Sequence, residues 1–359
     1  MIKIIIKKVF YSLLIFWGVV TVVFLLFNVV PADPARLMMG QRSDVQSMKA
    51  IRKDLGLDKP VALQYIRYLN DLSPVSVYTL TPDTAYFYLE KTVRDDAVIL
   101  FTFGNEKAFV LKYPYLRRSY QSGREVTEII KEALPNTFVL AIVSIFFATL
   151  LGIFLGILAS VYKDTLFDRL ALLFSALGMS LPSFFAAILV GWTFAFLLGE
   201  FTGLNLTGNL YEVDDFGEGI TLELKNLILP AFTLAIRPLA IVIQLTRNSM
   251  LETMGLDYIR TARAKGLSQR RVIYRHALRN SLNPVVTAVS GWFASMMAGV
   301  VFVEYIFGWK GLGYVIVAAL NNYDLPVVLG SVLTISVIFV LINILIDIIY
   351  AWLDPRVRR

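Results

Sequence analysis

The sequence predicts an all-α integral membrane protein. It would have six transmembrane helices, both termini in the cytoplasm and a small extracytoplasmic α+β insertion between the first two helices. Three observations lead there. The 359-residue chain is 57% hydrophobic and 17% charged, apolar-rich for a soluble protein. Its apolar residues gather in blocks long enough to cross a bilayer. Lys and Arg collect on alternate sides of those blocks, the asymmetry that orients helices in membranes.

The first block, Val9–Val30, carries no charged side chain. Its length as a helix is about 33 Å at roughly 1.5 Å per residue, enough to span the hydrocarbon core. The basic head (Lys3, Lys7, Lys8) and Val30-Pro31-Ala32 also resemble a signal peptide, but the run is longer than a usual signal core, which favours an uncleaved anchor. The second span is Phe138–Val161 and the third Leu170–Leu198, which Pro182 is expected to bend. The fourth, Asn226–Thr246, is expected to be interrupted at Arg237-Pro238. The fifth is Val285–Ile306 and the sixth Pro326–Tyr350.

With the N-terminus inside, the cytoplasmic segments carry Lys163 and Arg169, the cations of the loop after the fourth span, and Arg356, Arg358 and Arg359. The short outer loops hold few cations. Gly199–Lys225 instead carries Glu200, Glu212, Asp214, Asp215, Glu218 and Glu223.

The long outer loop, Pro31–Pro135, reads as a helix over Asp44–Leu55 closed by Gly56, then a second over Pro60–Leu72 with Pro in its first turn. Ala97–Phe103 and Lys107–Tyr113 are rich in β-branched and aromatic residues around Gly104-Asn105, which is a hairpin signal. Tyr86, Phe87, Tyr88, Phe101, Phe103 and Phe109 either pack on one another as a lid or present a face to a partner.

Composition narrows the chemistry. Cys is absent, so there is neither a disulfide framework nor a thiolate site, and His276 is the single His. No Gly-x-x-x-x-Gly-Lys-Ser/Thr and no His-Glu-x-x-His occurs. The net charge of +7 is explained by orientation in the bilayer rather than by nucleic acid.

The most informative segment is Asp257–Pro284. From Arg247 to Arg279 there are eight Lys/Arg against the two acids Glu252 and Asp257. A short helix over Asp257–Ala264, then a sharp turn at Gly266, makes a rigid helix–turn–helix able to enter a cleft of another protein. Taken alone, the cations serve equally to orient the chain and to bind anionic lipid.

Four residues place charge or a break at membrane depth. Arg237, beside Pro238, either meets a substrate carboxylate or bonds carbonyls freed by the kink. Asn343 and Asp347, four apart on one helix face, suit bonds to neighbouring helices. Glu304 falls at the outer rim, as a gate or a structural group.

These motifs resemble a family: the permease subunits of binding-protein-dependent ABC importers, in the dipeptide/oligopeptide/nickel branch. Gly266 stands at the glycine of the family's cytoplasmic EAA-type loop, and Arg260-Thr261-Ala262 where Glu-Ala-Ala would be. His276 and Leu278-Arg279 replace the usual Ile and Leu-Pro, as the peptide branch does. Pro31-Ala32-Asp33-Pro34-Ala35, Leu55-Gly56-Leu57-Asp58, Gln64-Tyr65, Leu134-Pro135-Asn136-Thr137, Gly311-Leu312-Gly313 and Asp354-Pro355-Arg356 match in order. Ser73–Pro114 looks inserted, since Arg118–Arg124 resumes the family pattern.

The resemblance implies a division into 1–135 (anchor helix and outer loop, with a β-containing insertion at 73–114), 136–353 (five-helix permease core with the coupling loop at 247–283) and 354–359 (basic tail). It implies that Tyr258, Arg260, Thr261, Ala262, Arg263, Ala264, Lys265, Gly266 and Leu267 contact an ATPase. Arg237, Pro238, Pro182 and Glu304 become candidates for the translocation path or its gate. The implied partners are a second homologous permease, two ABC ATPase subunits that hold ATP and Mg, an extracytoplasmic solute-binding protein and the lipid bilayer. The chain itself would bind no cofactor or metal and catalyse nothing. The implied setting is the inner membrane of a prokaryote, and the implied cargo di- or oligopeptides, with nickel complexes or sugars behind. The rival reading is a self-sufficient secondary transporter or channel, which calls for a coupling-ion site or repeated halves in one chain.

Overall fold

The computed structural model describes residues 11, 14–25, 52–53, 56–81, 85–89, 93, 97–104, 106–213 and 219–353. The motif 31–35, the tail 354–359 and all of the predicted helix Asp44–Leu55 except the helical pair Arg52 and Lys53 lie outside them. The chain is mostly helical. Three helices are long and apolar enough to cross a membrane: α3 (Val126–Val161), α6 (Lys225–Met254) and α11 (Leu325–Leu353). A bent pair, α4 (Leu166–Ser180) and α5 (Ser183–Gly191, continued by a π-helical turn over Trp192–Leu197), makes a fourth when counted as one span. The described part of the first predicted span is a shorter apolar helix, α1 (Leu14–Leu25).

One expectation holds and two need correction. The third span is bent at Pro182 as expected: α4 and α5 meet there at 112°. Pro182 offers no N–H to continue the ladder, and Leu181 before it is extended at φ −72°, ψ 129°, as a residue preceding proline prefers. The fourth span, by contrast, is not interrupted. Helix α6 runs through both Pro230 and Pro238, which are buried against neighbours that hold the helix in line. The fifth span begins earlier than its apolar run: helix α8 (Leu278–Gly299) is followed, after Val300, by the short α9 (Val301–Ile306), and α8 is not among the helices apolar enough to count as a span. Hydropathy locates apolar surface, whereas the helix continues for as long as nothing stops it.

The chain divides into two compact units, 1–132 with 315–336, and 133–314 with 337–359. In the first, Val20, Val23 and Phe24 of α1 pack with Tyr68 and Leu72 of α2 (Val61–Leu72) and with Leu329 and Leu333. Thr21 and Tyr65 share a hydroxyl hydrogen bond of 2.6 Å. The expected hairpin is present as β2 (Val98–Phe103) and β3 (Lys107–Leu111), antiparallel, and a strand the sequence did not reveal, β1 (Val75–Thr79), pairs on the other side of β3. Tyr78, Ala108 and Val110 bury one face. On the other, Phe101 stacks on Phe109 at 4.6 Å with Phe103 beside them, so these three rings pack on one another, while every residue of β2 remains exposed. Beneath the sheet lies a buried ionic group: Arg117 grips Asp71 at 2.9 Å, and the Lys112 ammonium donates to the Asp71 carbonyl.

In the second unit, α6 is the central post. Gly152 and Gly156 of α3 lie against its Val242 and Thr246; a Cβ on either glycine would come within 2.6 Å of those side chains. This is the small-x-x-x-small spacing that lets helices approach closely. Gly178 of α4 meets Ile236 and Ala240 in the same way. Only 28% of the apolar stretch of α3 is buried within the chain, so most of its side chains, Phe146, Leu150 and Phe154 among them, face lipid or a partner. The acidic loop after α5 adds a two-stranded hairpin, β4 (Tyr211–Val213) with β5 (Ile220–Leu222), which the sequence did not reveal.

Candidate coupling site

The predicted helix over Asp257–Ala264 is present with those bounds, as α7. Its ends suit its charges: Asp257 sits in the first turn and Arg263 in the last, each stabilised by the helix dipole. Gly266 then takes φ +75°, a left-handed conformation that side-chain-bearing residues avoid. The chain returns through Gln269–Arg271 and a π-helical turn over Val272–Ala277 directly into α8.

One face of α7 is anchored. Ile259 and Ala262 are buried with Val272, Ile273 and Ala277 of the return segment, Met250 of α6 and Ile157 of α3, and Leu267 packs at the margin. Asn280 donates to the Tyr258 hydroxyl at 2.8 Å, and Ser281 bonds Thr253 at 3.0 Å, joining α8 to the foot of α6. The opposite face is open: Tyr258, Arg260, Thr261, Arg263, Ala264, Lys265 and Gly266 are all exposed. Arg260 pairs with Asp257 at 3.5 Å, but both are so exposed that the pair adds little. The helix thus fixes its apolar side chains to membrane-length helices and leaves its cations exposed.

A support the sequence reading missed lies above this platform. Arg247 of α6 grips Asp168 of α4 through two hydrogen bonds, 2.9 and 2.8 Å, and Asp168 also accepts from the Asp164 N–H at 3.0 Å.

The membrane-depth candidates separate. Pro182 is at the α4–α5 break and Pro238 is buried within α6. Arg237 is exposed and donates to the Met179 carbonyl, on α4, at 3.4 Å. Glu304 is fully buried. Thr137 of α3 donates to its Oε1 at 2.7 Å, and the Gly313 and Tyr314 N–H groups to its Oε2 at 2.6 and 3.3 Å. Glu304 thus caps α10 (Leu312–Asn321), and the Gly311-Leu312-Gly313 motif acquires a reason: a Cβ at Gly311 would collide with the same carboxylate. Asn343 donates to the Phe339 carbonyl of its own helix at 2.8 Å rather than to a neighbouring helix. The Asp347 side chain lies outside the described residues. Among the described residues no group of His, Asp and Glu is placed to hold a metal.

Residues 148–359 match the family described as binding-protein-dependent transport system inner membrane component. The chain belongs to this family. Residues 1–83 match the N-terminal segment of the same membrane components. Over 95% of both chains it is 31% identical to the dipeptide transport system permease protein DppB of Alkalihalophilus pseudofirmus. It is 34% identical to a putative peptide transport system permease protein of Brucella abortus, over 100% of this chain and 99% of that one. It is 32% identical to DppB of Escherichia coli K12, again over 100% and 99%. A solved structure titled as inward-facing MetNI methionine ABC transporter is a looser likeness, with TM-score 0.47 and 15% identity over 64% of this chain and 97% of that one. The chain is therefore a multi-pass permease component of the cytoplasmic membrane, in a binding-protein-dependent transport system.

Proposed function

We propose that this permease subunit forms half of an import path for peptides, and that Tyr258–Leu267 couples it to an ATPase partner. The observation that carries the coupling is the two-faced helix α7, with Ile259 and Ala262 sealed to the membrane helices and Arg260, Arg263 and Lys265 presented outward. Closure of a pair of ATPase subunits on this helix would push on α6 and α8 together, because both are packed into its buried face. ATP and Mg would be held by those subunits. The peptide cargo is supported by the peptide-permease relatives that align along nearly the whole chain. The remaining parts of the reading are six spans with both termini inside, a second homologous permease completing the path and a solute-binding protein delivering cargo from outside.

The experiment is a mild-detergent pull-down of the tagged chain from native membranes, with partners identified by mass spectrometry. ATPase subunits should be recovered, and Arg263→Glu should lose them. Isolation of the chain alone, in a form that transports without ATP, would replace this reading with a self-sufficient transporter.

A further inference from the structure

Helix α6 carries one charge near its middle, Arg237, and the structure gives it an unusual setting. A guanidinium has five N–H donors. Among the described residues it makes a single long bond, to the Met179 carbonyl at 3.4 Å. Among the described residues it has no ion-pair partner. An arginine left in this condition inside a membrane helix is costly unless water, a ligand or a partner compensates it.

The compensation has a place to sit. Arg237 lines a cavity of about 100 Å³ at the α4–α5 break, together with Leu181, Ser183, Thr233, Trp292 and Ser295. The Ser183 and Ser295 hydroxyls and the Trp292 indole N–H take no hydrogen bond within the described chain, whereas Thr233 is satisfied by the Leu229 carbonyl. No acid is among the lining residues. The first turn of α5 starts at Ser183 on the same wall, and the N–H groups of a first turn have no acceptor inside their own helix. One arginine, one tryptophan and two serines thus line the cavity without a counter-charge. Donors in that arrangement fit an anionic, planar group able to take two parallel N–H bonds from arginine, which describes a carboxylate.

We propose that Arg237 is the residue of the translocation path that receives the C-terminal carboxylate of a peptide in passage. The assignment rests on the peptide reading above. It also accounts for the position of the helix break: Pro182 ends α4 where a cavity wall is needed, and the opened backbone faces the space in which the carboxylate would lie.

The test uses the complete transporter in proteoliposomes with its binding protein, built with wild-type chain, Arg237→Gln or Arg237→Lys. Uptake of alanyl-alanine is compared with uptake of its C-terminal amide. The binding protein is common to all three complexes, so its own preference cancels from the comparison. The acid-to-amide uptake ratio should fall about tenfold in Arg237→Gln, the loss of one charge-assisted contact, and recover in part in Arg237→Lys. Equal losses for acid and amide would make Arg237 structural and overturn the assignment. So would loss of the partner permease from the Arg237→Gln complex on purification, since the arginine would then be answering a charge on that subunit. A wild-type complex that imports neither compound, nor alanyl peptides of three to five residues, overturns the peptide reading itself, a different failure from the other two.

Discussion

Arg247 holds Asp168 in a two-pronged grip, Nε to Oδ1 at 2.9 Å and Nη2 to Oδ2 at 2.8 Å, with the carboxylate almost wholly sealed from solvent. The planar fork of arginine matches a carboxylate in a way lysine does not. The pair ties α4 to α6.

Replacing Arg247 by Lys should therefore cost nearly as much as replacing it by Met. Each should lower the stability of the purified chain by about 1.5–3 kcal/mol, the range for a hydrogen bond to a charged group. Thermal unfolding in detergent measures this. If Arg247→Lys melts with the wild type, charge alone accounts for the contact and the paired geometry is irrelevant.

A second prediction separates two glycines that look alike in sequence. The three heavy atoms nearest a Cβ at Gly311 all belong to the Glu304 carboxylate, whereas a Cβ at Gly313 would run into the Val301 Cα as well as come within 2.9 Å of that carboxylate. Gly311→Ala and Gly313→Ala should both reduce folded yield. Shortening the acid with Glu304→Ser should partly restore Gly311→Ala and leave Gly313→Ala unrescued. The comparison is made by fluorescence-detected size-exclusion chromatography, and rescue of both or neither would count against the packing argument.

What the sequence made legible followed from local rules. Asp257–Ala264 and its Gly266 stop were readable because a short amphipathic basic run followed by glycine leaves little choice. The hairpin at Val98–Leu111 was readable from alternating β-formers around a turn. Partnerships between distant residues were not. Nothing local marks Asp168 as the mate of Arg247, Thr137 as a donor to Glu304, or Val75–Thr79 as the third strand, because each pairing depends on elements brought together by the fold. Hydropathy also misjudged continuity. It anticipated a break at Pro238, where packing keeps the helix whole, and placed the start of the fifth span by polarity, where the helix simply continues from the basic segment.

The ionic group of Asp71, Lys112 and Arg117 gives a pH prediction. Burial lowers Lys112 from the ordinary lysine value of 10.5 to about 8, and the nearby Asp71 opposes this only partly. Below pH 8 the side chain is charged in both folded and unfolded chains, and the fold bears the desolvation. Between about 8 and 10.5 the folded chain releases its proton first, so stability rises with pH across that window. Lys112→Met removes the buried charge. It should be at least as stable as the wild type at pH 7, with its advantage shrinking as pH rises from 8 to 10. A difference in melting temperature that stays constant over that range would show that Lys112 is not the titrating group.

The coupling turn offers the sharpest series, because its strain and its space can be varied separately. Gly266 has φ +75° and nothing within 4 Å of a hypothetical Cβ, so within this chain a Cβ there meets no neighbour and acts through the backbone. Left-handed geometry costs an ordinary residue roughly 1–2 kcal/mol, while asparagine adopts it more readily and a β-branched residue least. If the turn must hold α7 at a fixed angle for force to pass, substrate-driven ATP hydrolysis coupled to uptake should fall in the order Gly, Asn, Ala, Val. Membrane insertion should stay unchanged throughout, since the turn lies outside the apolar helices. Measuring uptake per ATP hydrolysed in reconstituted complexes checks the order. Were valine to transport as tightly coupled as glycine, the turn would be a passive connector and the rigid-lever account of this loop would have to be abandoned.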